Sequence, residues 1–257
     1  MLERLIIWNR NSKCGFVQSL TFNYRMRPEI LQFITKFYDG IPLEARGNNQ
    51  PHPDLYPVSF YAVSGLEKQI GVSYVNALEA ETIAILVKTL VESSWPTTEW
   101  GEFEASSVAV ITPYNSQEVT IALFCVFLNK VRWHIRNLLR QKKLGGITVE
   151  RVQNMQGKQY RVVFISTVHT RNKLLEEVKG GNDQSDSSEE KYRGFLSDEG
   201  ELITSFTRSQ SLLFVVGDPV PLCTMGACRQ AWWGYLQECH THNSLLPRRY
   251  HTRDSRC

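Results

Sequence analysis

Apolar residues in this chain fall into short unbroken runs separated by longer stretches with a helical period. Val108–Ile111 and Leu212–Val216 are uninterrupted apolar runs, the pattern of strands buried on both faces rather than half-exposed ones, which alternate. With Val58–Val63, Ile147–Val149 and Val162–Val168 they give five predicted strands, the last run widened to Ser211–Val216. Between them the period changes. Pro28 can open a helix at its first position, with Ile30, Phe33, Ile34, Phe37 and Tyr38 along one stripe and Gly40 to end it. Asn76 and Glu79 form a capping-box-like start for a second helix, whose stripe is Ala80, Ile83, Ala84, Val87, Leu90 and Val91. Asp198 and Glu201 make a similar start for a third, running into Arg208. Helix and strand alternate, which predicts an α/β fold with a parallel sheet covered on both faces.

Two stretches break the alternation. Lys179 to Arg193 is rich in Gly, Ser, Asp and Glu and is expected to be a mobile surface loop. The tail beyond Leu246 carries Arg248, Arg249, Arg253 and Arg256 and is expected to be a solvated terminus. No internal repeat is present.

Composition adds bounds. The 257 residues suffice for one large domain or two small ones. Hydrophobic content of 42% and charged content of 21% are those of a soluble globular protein, and a net charge of +3 permits nucleic-acid binding without requiring it. The first eight residues are too short and too charged for a signal peptide, and the most apolar run, Val119 to Leu128, is too short to span a bilayer. The expectation is an intracellular protein, cytoplasmic or nuclear, with no membrane. Six cysteines in a chain of this length do not make a disulfide framework. Cys223, Cys228, Cys239, His240 and His242 cluster in sequence, but their spacing is irregular, so reduced structural cysteines are favoured over a zinc site and no metal is assigned.

Three short segments carry candidate chemistry: Tyr24-Arg25-Met26-Arg27-Pro28, Gln156-Gly157-Lys158-Gln159 and Phe206-Thr207-Arg208. Each lies at a junction between predicted elements, where α/β proteins bind ligands beyond the carboxyl ends of their strands. Arg25 and Arg208 can bring a forked, permanently charged guanidinium to a γ-phosphate. Tyr24 offers a flat face for an adenine ring. Gly157 permits a sharp turn or close approach to a ligand, and Gln159 can bond a ribose hydroxyl. A fourth segment, Thr112-Pro113-Tyr114-Asn115-Ser116-Gln117, follows a buried strand. Its hydroxyl and amide groups suit nucleic-acid backbone contacts, with Tyr114 available to stack on a base; an ordinary strand-to-helix turn explains it equally well. No G-x-x-x-x-G-K-[ST] phosphate loop occurs.

The order of these segments resembles the superfamily 1 helicases of the nonsense-mediated-decay helicase type. Leu20 to Ile30 resembles motif IV, and Ile111 to Gln117 resembles the T-P-Y-x-x-Q segment. Ile147 to Val168 resembles motif V, and Gly194 through Asp218 resembles motif VI. The likeness is strongest to the group of helicase with zinc finger domain 2 and its relatives. It implies a three-layer RecA-like sheet of the P-loop NTPase type that lacks its own phosphate loop, and it covers almost the whole chain. On it, residues 1–19 lead in from a missing first lobe. Residues 20–222 form the second RecA-like lobe, with the loop at 171–193, and residues 223–257 form a C-terminal helix and basic tail.

The implied cofactor is ATP with Mg2+, bound only together with the first lobe. The implied partners are that lobe, in a longer protein, and single-stranded RNA or DNA. Position by position, Tyr24 would stack on adenine, Arg25 and Arg208 would reach the γ-phosphate, and Gly157 would shape the motif V loop. Thr112, Pro113, Tyr114, Asn115 and Gln117 would touch the nucleic-acid backbone. The sequence departs from the pattern at several places. Gln159 replaces the motif V Glu, and Gln153 and Met155 replace the usual Asp and Phe. Gly200-Glu201-Leu202-Ile203 replaces R-R-L-N, Ser209-Gln210 replaces A-K, and His169 stands at an Arg position. The alternative is a degenerate, non-hydrolysing module that binds nucleic acid or a protein.

Overall fold

A computed structural model describes residues 4–5, 7–8, 18–35, 37, 42–70, 73–114, 146–171 and 194–247. Its elements in chain order are β1 (Phe22–Asn23), α1 (Pro28–Thr35), β2 (Glu44–Ala45), β3 (Val58–Ala62), β4 (Glu67–Ile70), β5 (Ser73–Asn76), α2 (Ala77–Ser93), α3 (Thr97–Trp100) and β6 (Val108–Thr112). They continue with β7 (Thr148–Arg151), β8 (Tyr160–Ser166), α4 (Glu199–Phe206), β9 (Ser209–Gly217), α5 (Pro219–Thr224), α6 (Arg229–Thr241) and β10 (Leu245–Leu246).

Six strands form one parallel sheet in the order β10-β3-β9-β8-β6-β7. The continuous apolar runs are explained by what covers each face. Along β8, Val162 and Phe164 point to a core shared with Ala80, Ile83, Val87 and Leu90 of α2. Val163 and Ile165 point to the opposite core, with Ile30 and Ile34 of α1, Leu202 and Phe206 of α4, and Trp232 and Tyr235 of α6. β9 divides the same way, Leu212, Phe214 and Val216 against Leu213 and Val215. The strand period of two thus serves two cores at once. Each such side chain contributes roughly 1.5–3 kcal/mol on burial. Tyr235 is buried because its hydroxyl has acceptors, donating to the carbonyls of Ser59 at 3.0 Å and Leu213 at 3.3 Å.

Both polar helix starts form. Asn76 Oδ1 accepts from Glu79 N–H at 3.1 Å, and Asp198 Oδ1 accepts from Glu201 N–H at 2.9 Å. The third helix stops earlier than expected: Phe206 is its last residue and Thr207 caps it, so Arg208 lies beyond it. α1 likewise ends at Thr35; Tyr38 and Gly40, expected within or at the end of that helix, lie outside the described residues. Three features were not foreseen. They are the β1–β2 pair, the edge strand β10, and an antiparallel β4–β5 hairpin between β3 and α2. The expected loop at 179–193 and all but the first residue of the basic tail lie outside the described residues. No described helix is long and apolar enough to cross a membrane.

Candidate functional site

The three arginine- and glycine-bearing segments meet. Arg25 Nε donates to Gln159 Oε1 at 3.1 Å, and its Nη1 donates to the Thr207 carbonyl at 3.1 Å. One guanidinium therefore ties together residues 134 and 182 positions away. The backbone completes the junction: Tyr160 N–H donates to the Arg208 carbonyl at 2.8 Å, and Arg27 N–H donates to the Gln210 carbonyl at 3.2 Å.

The position of this junction corrects an expectation. The Gly157 turn precedes β8 and Thr207–Arg208 precedes β9, and these neighbouring strands are parallel. The cluster therefore lies at the amino-terminal edge of the sheet, not beyond the carboxyl ends. A helix-to-strand junction delivers its residues to the start of the following strand.

The local conformation of each residue has a cause. Asn23 Oδ1 accepts from the N–H groups of Arg25 and Met26, folding the chain between β1 and α1. Arg27 is engaged within the same turn, paired with Glu29 at 2.6 Å and donating to the Asn49 carbonyl at 2.9 Å. Tyr24 projects into solvent with 67% of its surface exposed. Gly157 has φ +77°, a left-handed conformation suited to glycine, and nothing lies within 4 Å of where a Cβ would stand. The turn therefore faces open space, with Gln159 exposed beside it.

Arg208 is held differently. Its Nε donates to the Thr204 carbonyl at 3.0 Å, and its Nη1 donates to the carbonyls of Met155 and Lys158, both at 3.2 Å. Nη2 donates to Thr207 Oγ1 at 2.8 Å. The fork braces the end of α4 against the Gly157 turn. Glu201, one turn up from Thr204 on α4, has its pKa raised to about 6, chiefly by burial and then by Asp198, with a bond from Gln153 opposing.

The fourth segment lies at the opposite, carboxyl-terminal edge. Thr112 ends β6 and is fully buried, and Pro113 follows. Tyr114 is buried rather than presented to a base. Its hydroxyl lies 2.6 Å from His169 Nε2, its ring packs edge-on against Tyr74 of the hairpin, and burial holds its hydroxyl protonated far above the usual range. Asn115 and Gln117 lie outside the described residues.

The sequence marked Asn76 and Glu79 only as a helix start, and it gave no sign that they serve the end of β8. The carboxylate of Glu79 is fully buried, accepting from the Ser166 hydroxyl at 2.5 Å and from Val168 N–H at 2.9 and 3.1 Å. Burial raises its pKa to about 8 although these donors favour the charged form. Val168 has φ 74°, strained for a β-branched residue. Its two backbone groups are clamped from the first turn of α2 and its cap, the N–H by Glu79 and the carbonyl by Asn76 Nδ2 at 3.4 Å. Asp218, buried at the end of β9, takes Arg171 in a fork at 3.0 Å. Among the described residues, no group of three or more His, Cys, Asp or Glu side chains is placed to hold a metal, and Cys223, Cys228 and Cys239 are free thiols.

With this geometry in place, comparison with known proteins decides the family. The AAA domain family matches residues 1–220. The chain belongs to that family. Over 230 residues it is 38% identical to a zebrafish (Danio rerio) protein named probable helicase with zinc finger domain, covering 87% of this chain and 12% of that protein. It is 34% identical over 230 residues to human 3'-5' exoribonuclease HELZ2, covering 88% of this chain and 7% of that protein. It is 25% identical over 265 residues to chicken (Gallus gallus) putative helicase MOV-10, covering 93% of this chain and 25% of that protein. This AAA domain is thus a helicase-family domain with a RecA-like parallel sheet, and it spans a quarter or less of the length of these relatives.

Proposed function

We propose that the chain is the C-terminal RecA-like lobe of an ATP-dependent RNA or DNA helicase. In this reading it supplies one wall of an ATP site whose phosphate loop and metal-binding carboxylates belong to a first lobe. The observation that carries the reading is the Arg25 guanidinium, which joins three distant segments at one sheet edge. The residues fit a nucleotide arriving from outside: Tyr24 is exposed, Arg25 is half-exposed, and the Gly157 turn borders open space.

ATP with Mg2+ would supply the transferable phosphoryl group and the metal that neutralises charge on it. Within this chain, Tyr24 would hold the adenine face. Gln159 orients Arg25 through its Nε, and the Thr207 carbonyl fixes the plane of the fork, so a phosphate oxygen would meet a prealigned charge. Arg208 would reach the γ-phosphate only by releasing carbonyls it now holds. A strand of RNA or DNA would cross the carboxyl-terminal edge near Thr112, Pro113 and Tyr114.

The bonding of Arg208 favours a second reading, a non-hydrolysing module that binds nucleic acid or a protein. Hydrolysis assays separate the two only with a first lobe present. The chain alone should show no ATP hydrolysis above a heat-killed control, with or without RNA, because the β- and γ-phosphate contacts of a phosphate loop are needed. Steady hydrolysis by the chain alone, abolished by Arg208→Ala, would overturn the proposed division of the site.

A further inference from the structure

The carboxyl ends of parallel strands are where α/β sheets receive ligands. Here the end of β8 is covered by the chain itself. The β4–β5 hairpin lies over it, with Tyr74 5.3 Å from the ring of Tyr114 and 5.5 Å from that of His169. Its first residue, Glu67, places a carboxylate against the strand end: Oε2 is 3.1 Å from His169 Nδ1 and accepts from Thr170 N–H at 3.3 Å. Both side chains of the pair are nearly inaccessible, 5% for His169 and 4% for Glu67. The hydroxyl oxygen of Thr170, also buried, has no hydrogen-bond partner among the described residues. An imidazole and a backbone N–H around one anionic group, with an uncommitted buried hydroxyl on the same residue as that N–H, make a cradle suited to a tetrahedral or planar oxyanion.

Glu67 is an expensive occupant by itself, because a buried carboxylate needs partners to offset its lost hydration. The strand end is also held in a strained shape. Val168 sits at φ 74° under the Glu79 and Asn76 clamp, immediately before the two residues that hold Glu67. Strain of this kind persists where the surroundings over-determine it, and it marks positions where a ligand is received. Tyr114, in the segment expected to meet nucleic acid, is sealed beneath the same hairpin through His169.

We propose that His169 and Thr170 at the end of β8 form a subsite for one backbone phosphodiester of a single nucleic-acid strand, and that Glu67 occupies it as an internal competitor, so the β4–β5 hairpin is an autoinhibitory strap. The inference rests on the helicase-lobe reading for the presence of a strand. It adds what that reading lacks, a reason why Tyr114 is hidden and a named element that must move. Among the described residues, Glu79 on α2 binds the N–H of Val168 just before His169, and the Asp218–Arg171 pair lies just after Thr170.

The test uses the 257-residue chain, a fluorescein-labelled single-stranded 20-mer of uridine, and fluorescence anisotropy across a salt series. Glu67→Gln and Glu67→Ala are expected to tighten binding about tenfold. They should steepen the salt dependence by about 0.7 in log–log slope, the amount for one extra phosphate contact on a single strand. Adding His169→Ala should remove the gain. A DNA 20-mer should respond in the same way, because the contact is to phosphate. If wild type binds the 20-mer and the Glu67 variants bind with equal affinity and slope, the strap is refuted while the helicase-lobe reading stands. If no form binds either strand, both fall. If inorganic phosphate alone abolishes the gain at concentrations that leave wild-type binding intact, the cradle is a free-anion site and the proposal is refuted. Hydrogen–deuterium exchange on wild type gives an arm independent of folding in the variants. The 20-mer should raise exchange across residues 66–76; unchanged or slowed exchange there contradicts the strap.

Discussion

Removal of the Glu79 carboxylate should destabilise the fold in a way that depends on pH. Glu79→Ala leaves the Ser166 hydroxyl and the Val168 N–H buried without their acceptor. Each such group costs roughly 1–3 kcal/mol. The lost clamp would let Val168 leave its left-handed conformation, recovering part of roughly 1–3 kcal/mol of strain. The net expectation is a loss of about 2–4 kcal/mol. Glu79→Gln keeps one acceptor oxygen but turns an amide N–H₂ toward a donor, so about 1–2 kcal/mol is expected.

The pH dependence follows from burial, which raises the Glu79 pKa in the folded state from 4.5 to about 8. Between those values the folded chain keeps the proton and the unfolded chain has released it, so stability falls as pH rises. The slope approaches roughly 1.4 kcal/mol per pH unit and flattens above pH 8. The Gln variant lacks this term. Urea unfolding from pH 5 to pH 9 should therefore show the gap between wild type and Glu79→Gln shrinking and then changing sign as pH rises, because the summed loss of the wild type exceeds the Gln deficit. A gap that stays constant, or an Ala variant within about 0.5 kcal/mol of wild type at pH 5, would refute the reasoning.

Other consequences can be checked on the same material. Arg208→Ala and Arg208→Lys should both lower stability by about 1–3 kcal/mol in urea unfolding, because lysine cannot reproduce the fork across Met155, Lys158 and Thr204; a neutral Lys variant contradicts the brace. Gly157→Ala should cost about 1–2 kcal/mol from backbone strain alone, since no atom stands in the way of the new methyl. Asp198→Ala should cost about 0.5–2 kcal/mol through loss of the α4 cap, with the thermal midpoint as readout.

What the sequence disclosed and what it hid have physical reasons. The buried strands were readable because each serves two cores, which leaves an unbroken apolar run as in Val108–Ile111. The starts at Asn76 and Asp198 were readable because a cap is a local bond over three residues. The hairpin was hidden because Glu-Lys-Gln-Ile and Ser-Tyr-Val-Asn are short and mostly polar; they pair with each other, and the burial of Glu67, Val75 and Asn76 comes from packing that no local apolar pattern announces. Glu79 looked like a capping-box partner, yet its carboxylate serves the end of β8, a contact no local rule contains. The meeting of Arg25, Gln159 and Thr207 was legible as three segments of one site. Its edge was misjudged, although the order helix–Arg208–strand already places Arg208 before a strand.

The central claim, that the edge around Arg25 is half of an ATP site, is tested most directly by RNA-stimulated ATP hydrolysis in a protein joining this chain to a first lobe with an intact phosphate loop. Arg25→Ala is expected to lower the rate by roughly 10³ or more while urea unfolding shows a folded protein. A rate within a few-fold of wild type would contradict the account.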